Sequence, residues 1–450
     1  MVKWKIALEF FRGWPMRISV CASQVCFRGS MAGSLLAISS CGALAGGFDN
    51  EQSAYFQGMS LAGIAAGGQS VSSIFWNPAA AASAAPGLTM ESTYQFILPR
   101  ADITVQSIGS NSPLPGTAEA DIGREALTAA SFSTWRLNDK TVLGVSMTSP
   151  WGLGTKPDNA EWAGKPLSAT GTLFSLNVTP SVSYMVVPGV AVGVGVQIEY
   201  LNLLRNTAST PIGTSNLAGD DVGVGFTAGV NFTPTSATSI GLGFRSSIEH
   251  NLEGHVTVFG IAKAPAEASI ELPEKVTLSL RQAVTPTARL LGTVAWTNWS
   301  RLGVIPVATQ GPFLGSSAGD TIANFDFRWR DGWLFALGGE YDWSRLLTVR
   351  AGTAYEISPV DDPTTRLAQV ADSNRVWASM GASYKWSDAI AIDFAYNHMF
   401  YENDAPFDRT PASVGPSPRY VGTADVSLDI ITIGMKMQMG VPSSPSQALK

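Results

Sequence analysis

Arg245, Arg281 and Arg350 each lie in a run where apolar and polar residues alternate, at positions that turn with the polar set. A guanidinium on that face can bind a carboxylate, because a charge in a partly desolvated space needs a partner. That partner is either the acid group of a bound ligand or a neighbouring side chain such as Glu199, Glu356 or Asp393. Catalysis is poorly provided for. Acyl transfer needs a nucleophile and a base in one site, yet no Gly-x-Ser-x-Gly occurs and only His250, His255 and His398 offer imidazole. His250 and His255 share a loop approach and His398 ends a strand, so all three are expected to face water. Three dispersed histidines without cysteine do not make a zinc set. The Val-Gly-Val-Gly segment around Gly193 and Gly195 sits within a strand pattern and no helix follows, so it is not a nucleotide loop. No catalytic residue, metal or cofactor is expected.

The elements that would carry the arginines are strands. Val190, Val192, Val194, Val196, Ile198 and Tyr200 alternate with Ala191, Gly193, Gly195, Gln197 and Glu199. The same split recurs at Phe174, Leu176, Val178, Val182 and Tyr184, at Leu347, Val349, Ala351 and Tyr355, and at Ile390, Ile392, Phe394 and Tyr396. Soluble sandwiches and membrane barrels both alternate, and connection lengths separate them. Six short turns, at Asn138-Asp139, Pro188-Gly189, Pro234-Thr235, Pro286-Thr287, Ser344-Arg345 and Ser387-Asp388, interleave with seven longer polar segments. Those segments lie around 107–121, 151–169, 205–219, 259–270, 304–322, 358–374 and 402–422. This is the outer-membrane pattern of short periplasmic turns and long external loops, and it predicts an all-β fold, a fourteen-stranded antiparallel transmembrane β-barrel. Aromatics near strand ends, Trp296, Trp299, Tyr341, Trp343, Tyr384 and Trp386, suit the two membrane interfaces.

Composition agrees. Charged residues make up 14%, mean hydropathy is +0.13, and the chain holds 45 Gly and 26 Pro, which suits an apolar exterior better than a solvated enzyme. Residues 1–45 read as an export signal: Lys3, Lys5, Arg12, Arg17 and Arg28 precede an apolar stretch ending in Ala43-Leu44-Ala45. All three cysteines, Cys21, Cys26 and Cys41, lie in that leader, so disulfides and thiol-bound metals are not expected in the rest. The leader carries a net charge of plus four, so its loss takes the formal charge from −6 to −10, a poor match for nucleic acid. Two charge-free stretches, Gln52–Met90 and Pro166–Ile198, fail as membrane helices. The first is broken by Gly67-Gly68 and Asn77-Pro78; the second contains Pro180 and Pro188 and alternates.

Residues 46–87 do not alternate and are rich in Ala, Gly and Ser. Ahead of a barrel at 88–440 and a polar tail at 441–450, they read as a small helical hatch inside the lumen, where small residues pack closely. Phe48, Tyr55, Phe56, Phe75 and Trp76 would be costly to leave wet, and Asn77-Pro78 is expected to end a helix. The run Gly47-Phe48-Asp49-Asn50-Glu51-Gln52-Ser53-Ala54, followed by Gly58, Ala62-Gly63 and Phe75-Trp76-Asn77-Pro78-Ala79, resembles the amino-terminal hatch of the FadL long-chain fatty acid transporter family. Asn77, Pro78 and Ala79 are its most specific mark. Further likeness lies at Thr148-Ser149-Pro150-Trp151-Gly152-Leu153, Leu272-Pro273-Glu274-Lys275-Val276-Thr277-Leu278, Trp296-Thr297-Asn298-Trp299-Ser300 and Arg350-Ala351-Gly352-Thr353-Ala354-Tyr355.

The resemblance implies passive outer-membrane uptake of hydrophobic compounds by a monomer embedded in lipid. A pocket beside the hatch and a lateral opening at a kinked strand come with it. The expected ligands are long-chain fatty acids, with aromatic hydrocarbons as the alternative. Phe48, Tyr55, Phe56, Phe75, Trp76, Arg245, Arg281 and Arg350 are the candidate ligand contacts. Pro150, Trp151, Gly152 and Gly154 are the candidate kink, since proline cannot donate to a ladder and glycine bends. A general porin or an outer-membrane enzyme fits less well, because the first lacks a use for a hatch and the second lacks a catalytic set.

Overall fold

The computed structural model describes residues 49–440 except 51, 110–113, 168–169, 211–212, 259, 261 and 412–417. The leader (1–45), Phe48 and the tail (441–450) lie outside the described residues. No described helix is long and apolar enough to cross a membrane, so crossing falls to strands.

Fourteen wall strands follow one another antiparallel in chain order. They are β1 (Gly87–Ile108), β2 (Ala126–Arg136), β3 (Thr141–Thr148, then Gly152–Thr155), β4 (Thr170–Val187) and β5 (Val190–Thr210). Next come β6 (Gly213–Thr235), β7 (Thr238–Arg245, then Ile248–Val258), β8 (Ala262–Leu272 and Lys275–Ala283) and β9 (Ala288–Thr297, then Val304–Thr309). The circuit ends with β10 (Thr321–Asp326, then Gly332–Asp342), β11 (Leu347–Ile357), β12 (Arg375–Lys385), β13 (Ile390–Tyr401) and β14 (Tyr420–Met439). β14 pairs with β1 from Met439↔Leu88 to Tyr420↔Ile108. Closure leaves no open edge in hydrocarbon, where unpaired peptide groups could not be satisfied.

The alternation sorts the wall as expected. On β5, Val192, Val194, Val196 and Ile198 face outward and exposed, while Gln197 and Glu199 are buried inside. Tyr341, Trp343, Tyr384 and Trp386 are exposed at the short-turn end, the place for an interfacial ring. Trp299 departs from expectation. Past Thr297 the strand stops and a single turn of 3-10 helix, Trp299–Arg301, carries that indole inward, where it is buried.

Two expected loops prove to be ladder. Thr207 pairs with Asn216 and Thr257 with Lys263, so β5–β6 and β7–β8 are long hairpins around 205–219 and 259–270. Small and polar residues give these segments no strong apolar alternation, yet their peptide groups pair all the same. Pro234 and Thr235 also stay in β6, and the turn falls two residues later, at Ser236-Ala237.

Five wall strands are interrupted, at 149–151, 246–247, 273–274, 298–303 and 327–331. Four of the gaps are neighbours. Arg245↔Lys275 and Ile248↔Leu272 flank the second and third, the Asn298 amide donates to the Glu274 carbonyl at 3.1 Å, and the Phe327 amide donates to Gly303 at 3.1 Å. The fifth lies across the lumen at the same level, where Lys275 Nζ sits 4.8 Å from the Trp151 ring.

Candidate functional site: a pocket between hatch and wall

The hatch is built from short pieces: α1 (Ala54–Gln57) and 3-10 turns at Val71–Phe75 and Pro78–Ser83. Asn77 does more than end a helix. It caps the next one, its side-chain oxygen accepting from the Ala79 amide at 3.0 Å with Pro78 at the first position. Its amide nitrogen donates to the Ala65 carbonyl at 2.7 Å and to the Val230 carbonyl of β6 at 3.1 Å. One buried amide thus joins two hatch segments to the wall. Asn77→Ala strands these acceptors and should cost about 1–3 kcal/mol, read as faster proteolysis within 50–85 in the folded barrel.

The wall meets this hatch with glycine. A methyl at Gly241 or Gly243 of β7 would land on the carbonyl oxygen of Ala65 or Trp76, and one at Gly193 on the Ala79 amide. Gly229 faces Asn77, Gly352 faces Met59, and Gly381 lies against Gly58, whose own added methyl would sit 2.8 Å from its Cα. The small inward residues of the Val-Gly-Val-Gly run therefore form part of a seat.

At the short-turn end of the lumen Arg281 and Arg350 are already engaged. Arg281 Nη2 lies 3.1 Å from Glu340, and Arg350 lies 3.7 Å from Glu340 and 3.6 Å from Asp393. Arg289, which sequence reasoning passed over, pairs with Glu340 and grips Asp342 with two bonds of 2.6 and 2.7 Å. The Tyr55 hydroxyl donates to Glu340, and the Arg350 guanidinium lies 3.7 Å from the centre of the Tyr55 ring. Tyr55 thus belongs to a latch between hatch and wall. Phe56 sits in the hatch core, edge-to-face with Tyr55 and Trp76.

Arg245 is different. It is buried, its Nη1 donates to the Phe75 carbonyl at 2.8 Å, and its Nη2 donates to the Gln197 side chain. Its guanidinium stacks 3.9 Å from the Phe75 ring centre. Among the described residues no carboxylate lies within ion-pair distance of it. Nearby, Lys275 pairs with Asp49. The space beside Lys275 is lined by Leu61, Ile64, Phe75, Trp76 and Trp299, with Asp49 and Glu356 at its wall, and measures about 50 Å³. A second hollow of about 10 Å³, lined by Trp151, Arg245, Leu272 and Pro273, adjoins it through Phe75 and Lys275. Ligand pockets usually hold roughly 300–1,000 Å³, so this one is closed. Lys275 was findable, since it shares the inward set of β8 with Thr277, Ser279 and Arg281.

Above the pocket, Trp151, Trp299, Trp329 and Phe327 form an edge-to-face chain with centroids 5.6, 5.5 and 5.0 Å apart. Trp151 belongs to the interruption in β3. Thr148 pairs with Asn177 and Gly152 with Phe174, so Ser149-Pro150-Trp151 oppose only two residues of β4. Gly152 and Gly154 lie in the short segment that resumes pairing. β2 pairs with β3 only along Ser131–Arg136, leaving a seam above. The start of the hatch covers that seam. The Asn50 amide donates to Pro150 at 2.8 Å, the Asn50 and Gln52 side chains donate to Ser149 at 3.1 and 2.8 Å, and the Ser149 amide donates to Gln52 at 3.0 Å.

One histidine is misplaced by the sequence reading. His250 does not face water; it is buried between Glu199 at 3.4 Å and Asp221 at 3.3 Å, because the interruption before Ile248 brings its ring into the lumen. His398 lies 2.7 Å from Asp429, half-buried.

A closed fourteen-stranded barrel with an apolar exterior and a lumen occupied by a hatch defines an outer-membrane protein. The chain belongs to the outer membrane protein transport protein family (OMPP1/FadL/TodX), whose model matches residues 36–439. It is 24% identical over 344 residues to a long-chain fatty acid transport protein of Salmonella typhi, covering 67% of this chain and 77% of that one. It is also 25% identical over 343 residues to a 47 kDa outer membrane protein of Pasteurella multocida (strain Pm70), covering 67% and 78%. Among solved structures, a Pseudomonas aeruginosa FadL homologue superposes with a TM-score of 0.78 at 21% identity, over 88% of this chain and all of the other. The Pseudomonas putida toluene transporter TodX gives 0.63 at 15% identity, over 87% and 100%. The protein is therefore an outer-membrane transport protein with the fold of those structures.

Proposed function

We propose that the protein takes up long-chain fatty acids, holding the carboxylate at Arg245 and Lys275 and the chain against Phe75, Trp76, Trp151 and Trp299. The observation that carries this reading is a buried guanidinium whose hydrogen-bond partners among the described residues are neutral, beside a pocket with a largely aromatic wall. A buried cation is costly without an anion, and a fatty acid supplies one together with apolar surface worth about 25 cal/mol per Å² buried. Capture would begin at the external cleft lined by Leu167, Leu217, Val307, Phe325 and Leu367, with Arg409 at its lip. Release would follow when residues 49–52 leave the β3 interruption, letting ligand pass sideways through the seam into the membrane. One chain closes the barrel, so a monomer suffices. Chemistry on the ligand plays no part in this cycle, and the protein is not proposed to be an enzyme.

Arg245→Ala combined with Lys275→Ala should weaken palmitate binding about 10–100-fold, the worth of charge-assisted bonds at roughly 1.5–3 kcal/mol. Binding of methyl palmitate, which has no charge to pair, should change little. Unaltered palmitate affinity in calorimetry would instead favour an uncharged ligand such as an aromatic hydrocarbon, for which the indole-rich lining also serves.

A further inference from the structure

Three acids line the two hollows, and they are not held alike. Glu356 is bound by Arg375, with Nε at 2.9 Å, and also accepts from the Trp377 indole at 3.1 Å. Glu199 accepts from Asn177 at 2.9 Å and faces His250. Asp49 alone pairs with a cation that itself lines the pocket, Lys275. Among the described residues it is also the acid on the segment that covers the seam, standing opposite Trp151 in an isolated antiparallel bridge. Lys275 in turn rests over the Trp151 ring. One lysine therefore ties together β8, the interruption in β3 and the start of the hatch.

We propose that Asp49 is a built-in stand-in for the ligand's carboxylate, and that an incoming carboxylate takes Lys275 from it and so frees Asp49, Asn50 and Gln52 from the seam. The inference rests on the fatty acid reading above and adds its selectivity. A carboxylate arriving between Arg245 and Lys275 offers the lysine the same two oxygens as Asp49 does, and brings a chain that fills the aromatic lining. Asp49 then loses its ion pair with Lys275 while its own charge remains near a newly arrived like charge, which drives it off. What still holds the segment are the neutral bonds of Asn50 and Gln52 to Ser149 and Pro150. These are individually weak and open on local fluctuation. An uncharged guest occupies the pocket without competing for Lys275, so it binds without opening the seam. Charge on the ligand is thereby read at the gate as well as in the pocket.

Hydrogen–deuterium exchange followed by mass spectrometry on the full chain in detergent tests this. The amides of Asn50 and Ser149, both bonded across the seam, are the reporters. Saturating palmitate should speed their exchange about fivefold or more, whereas saturating methyl palmitate should leave it unchanged. In Asp49→Asn both amides should exchange fast without ligand and be indifferent to palmitate, while a β12 peptide keeps its slow exchange and so reports an intact barrel. Equal acceleration by acid and ester, or palmitate binding with no acceleration, would overturn the stand-in role alone. Failure of palmitate to bind the wild-type chain would overturn the fatty acid reading and this inference with it.

Discussion

Cysteines replacing Asp49 and Trp151, in a chain whose Cys21, Cys26 and Cys41 are serine, should stop uptake when oxidised and restore it when reduced. The two positions face each other in an antiparallel bridge, where Cα atoms stand about 4.5–5.5 Å apart, within the roughly 4.4–6.8 Å that a disulfide spans. The bond would fasten the start of the hatch to the interruption in β3. Nothing in the barrel ladder is altered, so assembly should be normal. Uptake of labelled palmitate by cells is expected to fall about tenfold or more on oxidation, as gating steps of this kind limit turnover. Because the same protein is measured before and after reductant, loss of the Asp49–Lys275 pair and of the indole cancels out. Equal uptake in both states, with the bridge shown closed by mass spectrometry, would reject the lateral route.

The second large effect concerns the seat. Gly241→Val and Gly243→Val each put branched carbon where the Ala65 or Trp76 carbonyl now lies. Overpacking costs about 1–3 kcal/mol where neighbours can yield; here main chain stands on both sides, so the hatch must lift. Planar bilayers carrying either variant should show steady ion current about tenfold or more above the wild type, since an unplugged lumen is a water-filled channel. Gly292→Val is the control. That glycine faces outward, with its nearest neighbouring atom 3.6 Å from an added methyl, and its current should match the wild type. A seat variant as silent as the control would mean that the glycine contacts do not hold the barrier in place.

Much of this architecture could be read from alternation and turn chemistry, because a wall strand must show lipid one face and the lumen the other. The wall strands, the turns at Pro188-Gly189 and Ser387-Asp388 and the inward turn of Arg245, Arg281 and Arg350 all follow from that one constraint. What alternation cannot tell is who waits across the lumen. Arg281 and Arg350 converge on Glu340, an acid on β10 that no local pattern connects to them, whereas Arg245 meets only the Phe75 carbonyl and Gln197. The fates of three equivalent-looking arginines are decided by register between distant strands. The strand interruptions other than the expected kink at Pro150 escaped notice for a similar reason. Pro150 and Pro273 announce two of them, since proline withholds a donor, but 246–247, 298–303 and 327–331 carry no such mark. Of the misjudged positions, Trp299 sits in one of those unmarked interruptions and His250 in the strand segment that resumes just after another.

Below the level of the interruptions every wall strand is laddered to both neighbours, from β2–β3 at Ser131–Arg136 to β13–β14 at Ile390–Phe400. Above it, β7 and β8 continue as a hairpin that stays laddered to β6 from Glu253↔Asp220 to Val258↔Ser215, while β9 and β10 form another, and the two hairpins touch over two residue pairs, Ala266↔Thr309 and Glu267↔Ala308. Mechanically this is a fully laddered sleeve whose upper rim is held most loosely between the β7–β8 and β9–β10 hairpins. A bulky guest can spread that rim without unzipping any ladder that faces hydrocarbon, so the work of admission is done where water, not lipid, receives the loosened peptide groups.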